Sequence, residues 1–173
     1  MPFGYYRNLS TTQKAVYRKS DAIASIRLPV PSTHYTQVAA LRAALAADDR
    51  RAVTDAATRL CAGLTAALAV PSVEVEVLDV RPRRAESELH GLYTYESGAR
   101  PTIHVWMRTA HHRRVVAFRT FLRTLLHEVC HHLDFQLLAL PDSFHTQGFF
   151  KRESSLFHQL VPRAPEPIKD FAG

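Results

Sequence analysis

The sequence predicts an α+β protein in which a small sheet packs on a long helix, with helices before the sheet and one more helix after it. Three observations support this fold class. Apolar residues recur at helical spacing through much of residues 11–68, residues 73–77 alternate valine with glutamate, and a second helical stripe runs through residues 113–135. With 173 residues, 46% hydrophobic and 22% charged, the chain has the size and composition of one globular domain spanning residues 1–173.

The first part of that domain, residues 1–70, is predicted to be helical. Ser10 is placed to cap a helix that runs to about Ile26, before the prolines at 29 and 31. A second helix is predicted over residues 36–47, and a third begins near Asp49. Their apolar spacing indicates a scaffold that builds the core.

The second part, residues 71–160, is predicted to carry the sheet and two helices. The alternation at 73–77 predicts one strand, and residues 89–95 and 102–107 predict two more, with a turn at Ser97 between them. After the helix at 113–135, Asp142 or Ser143 is placed to cap a last helix that ends near residue 160. Residues 161–173 contain three prolines and are predicted to be a non-helical tail.

The composition excludes several classes of protein. Two cysteines, Cys61 and Cys130, are too few for a disulfide scaffold or for a zinc site of four cysteines. No apolar run approaches the roughly 20 residues of a membrane helix, and the first residues lack the apolar core of an export signal. We therefore expect a cytoplasmic protein without a membrane partner. The chain contains ten histidines, and because histidine is the commonest metal ligand among side chains, metal binding is a candidate function.

An H-E-x-x-H motif at residues 127–131 is the strongest functional signal, and it lies inside the predicted helix at 113–135. Residues i and i+4 share one face of a helix, so His127 and His131 can both bind one zinc ion. Glu128 lies next to the first ligand and can act as a general base on a water molecule that the metal activates. The pattern predicts metal-assisted hydrolysis of a carbonyl compound.

A catalytic zinc site needs a third protein ligand, and two residues of the last helix are candidates. His145 follows His131 by 14 positions and Glu153 follows it by 22 positions. We favour His145, predicted to lie in the first turn of that helix, over Glu153, which can instead pair with a neighbouring charge. A metzincin is excluded, because its glycine and its last histidine would fall at Asp134 and Leu137.

The motif, its spacing to His145 and the run from His145 to Phe149 together resemble the SprT-like zinc metallopeptidases. The similar part spans about residues 102–160, and the first seventy residues read like part of a small bacterial family. The resemblance implies a zincin-like fold, one zinc ion on His127, His131 and His145, Glu128 as the base, and a peptide or protein substrate. If Glu153 is the third ligand, the chain is a minimal gluzincin-like relative instead.

Zincins generally bind an extended substrate along an edge strand of the sheet. The segment at 102–107 is the candidate edge strand, and Tyr93, Tyr95 and His104 are equal candidates for an oxyanion donor. Near the motif, His132 points about 100° away from His131 and is expected to bond Asp134 or the last helix instead of a metal.

Six arginines between residues 97 and 127 form a basic stripe without an acidic residue among them, at positions 100, 108, 113, 114, 119 and 123. They indicate either a nucleic-acid surface or, as we favour, a solvated face paired with acids such as Glu86, Glu88 or Glu96. Two alternatives to the peptidase stay open. One is a zincin-fold regulatory protein that binds a peptide or nucleic acid with little turnover, and the other is a closed structural zinc site with a fourth protein ligand.

Overall fold

The structure, a computed structural model, describes residues 3–82, 90–96 and 98–162. This part of the chain contains five α-helices and a three-stranded mixed sheet, which confirms the α+β class. The elements are α1 (Thr11–Ala22), α2 (Tyr35–Ala46), α3 (Arg50–Ala67), β1 (Glu74–Val80), β2 (Gly91–Thr94), β3 (Thr102–Arg108), α4 (Phe118–Gln136) and α5 (Gln147–Leu160). Residue 89 of the predicted second strand, the turn residue 97 and the tail from 163 lie outside the described residues.

Helix α1 begins as predicted, because Ser10 and Gln13 form a reciprocal capping box. It ends at Ala22, earlier than the predicted Ile26, and the chain then continues in an extended conformation. Gln159 of α5 explains the early end, since its Nε2 donates to the Ile26 carbonyl at 2.8 Å and its Oε1 accepts from the Leu28 N–H at 2.9 Å. Hydrogen bonds to another helix replace the last helical turn that the local pattern favours.

Helices α2 and α3 lie close to the predicted positions and pack on each other. Asp49 caps α3 by accepting from the Ala52 N–H at 3.0 Å. The buried side chains of α3 belong to one continuous apolar core that also includes residues of the sheet, α4 and α5. No helix among the described residues is both long enough and apolar enough to cross a membrane.

The strand order in the sheet is β1-β3-β2, with β1 parallel and β2 antiparallel to β3. The prediction that residues 102–107 form an edge strand is therefore wrong, because β3 lies between the other two strands. Its burial fits a central strand, since Ile103, Val105 and Met107 are fully buried and Trp106 on the opposite face is 8% exposed. In the part of the chain that the structure describes, β2 pairs only with β3.

Helix α4 packs against β2 and β3, and α5 packs against α4 and α1. The cap of α5 is Thr146, which accepts from the Phe149 N–H at 2.9 Å, and not Asp142 or Ser143 as predicted. The hydroxyl of Ser143 donates to Asp134 at 2.8 Å, so this serine is engaged with α4 instead. As a result His145 lies in the loop before α5, not in its first turn.

Candidate metal centre

Three histidine side chains converge between α4 and the loop before α5. His127 and His131 lie one turn apart on α4, and His145 reaches them from the loop. The Nε2 atom of His145 is 2.9 Å from Nε2 of His127 and 3.0 Å from Nε2 of His131. One ligand atom from each residue lies within 4.8 Å of the others, so the cluster can hold a metal ion.

The remaining ring nitrogens of the α4 histidines have partners that fix the proton positions. Nδ1 of His127 is 3.1 Å from Oε2 of Glu153, a carboxylate that can only accept, so Nδ1 carries the proton. Nδ1 of His131 is 2.7 Å from the Ser143 hydroxyl, whose own proton goes to Asp134, so this Nδ1 also donates. Both rings therefore present an Nε2 lone pair to the cluster, and the residues fit a transition-metal ion that prefers imidazole.

The electrostatics of the cluster favour the neutral form of His131 and His145. Burial lowers the pKa of His131 to about 3, and positive charge on His127, His145 and Arg152 lowers it as well. Burial also lowers the pKa of His145, with a further lowering by His127 that Glu153 opposes. Neutral imidazoles are the form that binds a metal ion, so His131 is ready to act as a ligand at neutral pH.

Glu153 lies beside the cluster as a partner of His127, not among the three converging Nε2 atoms. Its side chain is 12% exposed, and Oε1 is also 3.5 Å from Nη1 of Arg123. Of the two candidates for the third ligand, the structure thus brings His145 to the Nε2 atoms of His127 and His131, and it places Glu153 against Nδ1 of His127.

We expect His145→Ala to weaken zinc binding by more than Glu153→Gln does. Loss of an orienting partner costs about 10- to 100-fold in metal affinity, whereas loss of a ligand removes a coordinate bond. Competition with a chromophoric chelator measures both affinities, and His158→Ala, an exposed histidine of α5, is the control. A larger loss in Glu153→Gln than in His145→Ala would reverse the assignment.

Glu128 is held beneath β2, with only 5% of its surface exposed. A Cβ atom on Gly91 would overlap Oε1 of Glu128 and lie 2.8 Å from its Cγ, so the strand approaches this closely only because residue 91 is glycine. The backbone N–H of Tyr93 donates to the Glu128 carboxylate. Sequence reasoning missed Gly91, although a glycine inside a strand pattern is a signal of close approach.

The pKa of Glu128 is raised to about 7, because burial disfavours the charged form and the charge of Glu153 adds to this effect. Positive charge on His127 and the N–H of Tyr93 act in the opposite direction. A carboxyl group that gains and loses its proton near neutral pH has the property that a general base requires.

Two cavities flank the histidine cluster, each with a volume of about 320 Å³. His127 and Glu128 line both of them. Of the threonines that precede the motif, Thr124 lines the first cavity and donates its hydroxyl proton to the Thr120 carbonyl at 3.0 Å. The other lining side chains include Arg123 and Glu153 in the first cavity and Tyr93, Phe135 and Ser143 in the second.

The structure separates the three candidates for an oxyanion donor. His104 lies on the sheet face opposite α4, where its Nε2 is 3.0 Å from Oε2 of Glu76. The Tyr93 hydroxyl is 3.1 Å from Nδ1 of His132 and gives its proton to that nitrogen, because His132 Nε2 donates to the Pro71 carbonyl at 2.8 Å. These contacts also correct the expected partner of His132, which is neither Asp134 nor a residue of the last helix.

Tyr95 is the remaining candidate donor. Its side chain is 49% exposed, and its ring lies 5.6 Å from that of Phe135, a residue that lines the second cavity. Of the three candidates, Tyr95 is the one whose side chain forms no hydrogen bond or ion pair with another described residue.

Three of the six arginines of the basic stripe, Arg100, Arg108 and Arg123, pair with acids in the described part of the chain. Arg100 pairs with Glu74 at 3.4 Å, and Arg108 pairs with Asp48 and with Asp79, the latter at 2.9 Å. Further along the stripe, the guanidinium of Arg123 lies 4.0 Å from the centre of the Phe157 ring. Of the acids that the sequence suggested as partners, residues 86 and 88 lie outside the described residues, and Glu96 pairs with none of the described arginines of the stripe. The acids that do pair with these arginines come from other elements.

The sequence matches no protein-family profile, and no significant match emerges among curated proteins or solved structures. The observations that bear on function are therefore the geometry and chemistry of the site itself.

Proposed function

We propose that the protein is a zinc-dependent metallopeptidase, with zinc held by His127, His131 and His145 and with Glu128 as the general base. The observation that carries this proposal is the convergence of three histidine Nε2 atoms beside a buried glutamate with a raised pKa. The packing of the motif helix α4 on a small mixed sheet is compatible with a zincin-like fold, and the motif itself resembles the SprT-like group.

The number of protein ligands favours a catalytic over a structural zinc site. Catalytic zinc normally has three protein ligands and an open position, whereas a structural site is closed by four. Within the described ranges, the cluster is formed by His127, His131 and His145. Zinc supplies Lewis acidity at such a site, which makes a water molecule acidic near neutral pH and polarises a carbonyl group.

Glu128 supplies the proton transfers in this proposal. Its carboxylate takes the proton of the attacking water as the new carbon–oxygen bond forms, and it then gives that proton to the leaving nitrogen as the peptide bond breaks. The N–H of Tyr93 and the close backbone at Gly91 hold the carboxylate in place. The Tyr95 hydroxyl is the proposed donor to the oxygen that becomes negative.

In this proposal the substrate binds along β2, and not along β3 as the sequence predicted. Gly91, Leu92 and Tyr93 line the second cavity together with the three histidines. An extended peptide that pairs with the side of β2 not used by β3 would pass directly over Glu128. Main-chain hydrogen bonds would then supply affinity, and the two cavities would receive side chains of the substrate.

The two cysteines take no part in this chemistry. Cys61 and Cys130 are both buried and both free thiols. Burial raises the pKa of Cys61 to about 12, and it raises the pKa of Cys130 as well. Both thiols are therefore unreactive core groups, and neither is a candidate nucleophile.

Incubation of the zinc-loaded protein with a peptide library, followed by mass spectrometry, tests the proposal. We expect cleavage that a chelator abolishes and that added zinc restores. His145→Ala, purified in the same way, should show no cleavage and so excludes a contaminating protease. Stoichiometric zinc without cleavage of any peptide would contradict the proposal and favour the low-turnover binding protein.

A further inference from the structure

Residues 3–23, called the N-terminal segment below, form hydrogen bonds to the loop that carries His145. The Tyr5 hydroxyl donates to the backbone carbonyl of His145 at 2.7 Å. The N–H of Gly148 donates to Oδ1 of Asp21 at 3.0 Å. Between these contacts, the hydroxyl of Ser20 lies 3.4 Å from that of Thr146, the cap of α5. The loop is thus bound to the segment at the third ligand itself and immediately after it.

A second connection runs through Arg152, whose side chain is fully buried. Its Nη1 donates to the carbonyls of Ser20 and Ile23 at the end of α1, both at 2.6 Å. Its Nη2 donates to Oδ1 of Asp134 at 2.8 Å. The other oxygen of Asp134 accepts from Ser143, which in turn accepts from the ring of His131. A continuous chain of hydrogen bonds therefore joins the end of α1 to the second ligand.

The packing of α1 on α5 depends on a glycine. A Cβ atom on Gly148 would overlap the carbonyl oxygen of Asp21 and lie 2.6 Å from the carbonyl oxygen of Ser20. Backbone atoms cannot rotate away as a flexible side chain can, so any larger residue would push the two helices apart. The close contact thus fixes the position of α1 relative to the loop.

From these contacts we propose that the N-terminal segment is a positioning element of the metal centre, and not a lid or an inhibitory segment. It bonds the backbone carbonyl of His145, and the residues that line the two cavities come from other parts of the chain. By ordering the loop before a metal ion arrives, it reduces the conformational entropy lost on binding.

This inference rests on the proposed function in one respect, namely that the three histidines bind a divalent ion. It assigns to residues far from the motif a measurable share of the affinity for that ion. Metal affinity, and not peptide cleavage, is therefore the quantity that tests it.

The first test compares Tyr5→Phe with Tyr35→Phe in the full chain. The two tyrosines are 39% and 37% exposed, and only Tyr5 bonds the ligand loop. We expect Tyr5→Phe to raise the Kd for zinc by about 3- to 10-fold, the effect of one hydrogen bond, and the control to leave it unchanged. The visible absorption bands of bound cobalt should shift in Tyr5→Phe alone, while both metal-free variants stay folded.

The second test compares Gly148→Ala with Gly63→Ala. The added methyl group at residue 63 would meet only the His34 side chain, at 3.0 Å, far from the cluster. We expect Gly148→Ala to raise the Kd for zinc by about 10- to 100-fold, as the loss of an orienting contact does. If Tyr5→Phe and Gly148→Ala bind zinc and cobalt as the parent does, even with lower stability, the inference is wrong.

The outcomes separate this inference from the proposed function. Zinc affinities that fall as expected, in a protein that cleaves no peptide, would support the inference and contradict the peptidase. If the parent protein cleaves peptides and the variants bind zinc as tightly as the parent does, the inference is overturned and the proposed function stands. A parent protein that takes up neither zinc nor cobalt would overturn both.

Discussion

Replacing Glu128 with glutamine should leave zinc bound and reduce peptide hydrolysis by about three orders of magnitude, within the range that loss of a general base produces. Glutamine has the shape of glutamate and fits the space beside Gly91, but its amide cannot take a proton from water. The expected loss lies in kcat, with the metal content of the same preparation unchanged. Steady-state kinetics and elemental analysis measure the two quantities together.

The control for this experiment is Glu76→Gln. Glu76 is exposed on the sheet face opposite α4 and pairs with His104, so its loss should not change turnover. Cleavage by Glu128→Gln at the rate of the parent would show that the mechanism is wrong. Loss of zinc from this variant would instead assign Glu128 to metal binding and contradict its role as the base.

The parts of the site that could be predicted from sequence are the local ones. His127 and His131 share a face because the helical repeat fixes the geometry of residues four positions apart, whatever the rest of the chain does. The capping of α1 by Ser10 and the start of α3 near Asp49 are local in the same sense. These features depend on neighbouring residues, and the structure has them where the sequence placed them.

Strand order and the path of the ligand loop could not be predicted, because both depend on long-range packing. Alternation identifies β3 as a strand but does not tell which strands flank it. The start of α5 was misplaced because Ser143 resembles a helix cap, although its hydroxyl bonds Asp134 of α4. The sequence of β3 did contain one signal of a central strand. Trp106 and Met107 are adjacent apolar residues and therefore lie on opposite faces, as in a strand that is buried on both sides.

The hydrogen-bond chain behind His131 was also missed, since its members are far apart in sequence. One signal was available. Arg152 follows Phe149 by three positions and precedes Leu156 by four, so it occupies the apolar stripe of α5. An arginine in that position requires buried acceptors, and the structure supplies them from α1 and from Asp134.

Replacing Arg152 with methionine should lower the free energy of unfolding of the metal-free protein by about 3–5 kcal/mol. Methionine fills a similar volume, but it leaves the buried carboxylate of Asp134 without its cation and the carbonyls of Ser20 and Ile23 without their donor. Burial already raises the pKa of Asp134, and Arg152 is the largest influence that opposes this shift. Urea unfolding at neutral pH measures the loss.

Two further variants show whether the loss arises from the buried charge. Arg119→Met removes an exposed arginine that lies over the Phe157 ring, and it should change stability by no more than about 0.5 kcal/mol. Adding Asp134→Asn to Arg152→Met removes the unpaired charge, so the double variant should be more stable than Arg152→Met alone.

Should Arg152→Met unfold at the same urea concentration as Arg119→Met, the buried pair would contribute nothing to holding α1 against the site. A large loss that Asp134→Asn partly restores would identify the charge itself, and not the packing of the side chain, as the reason why this arginine is needed.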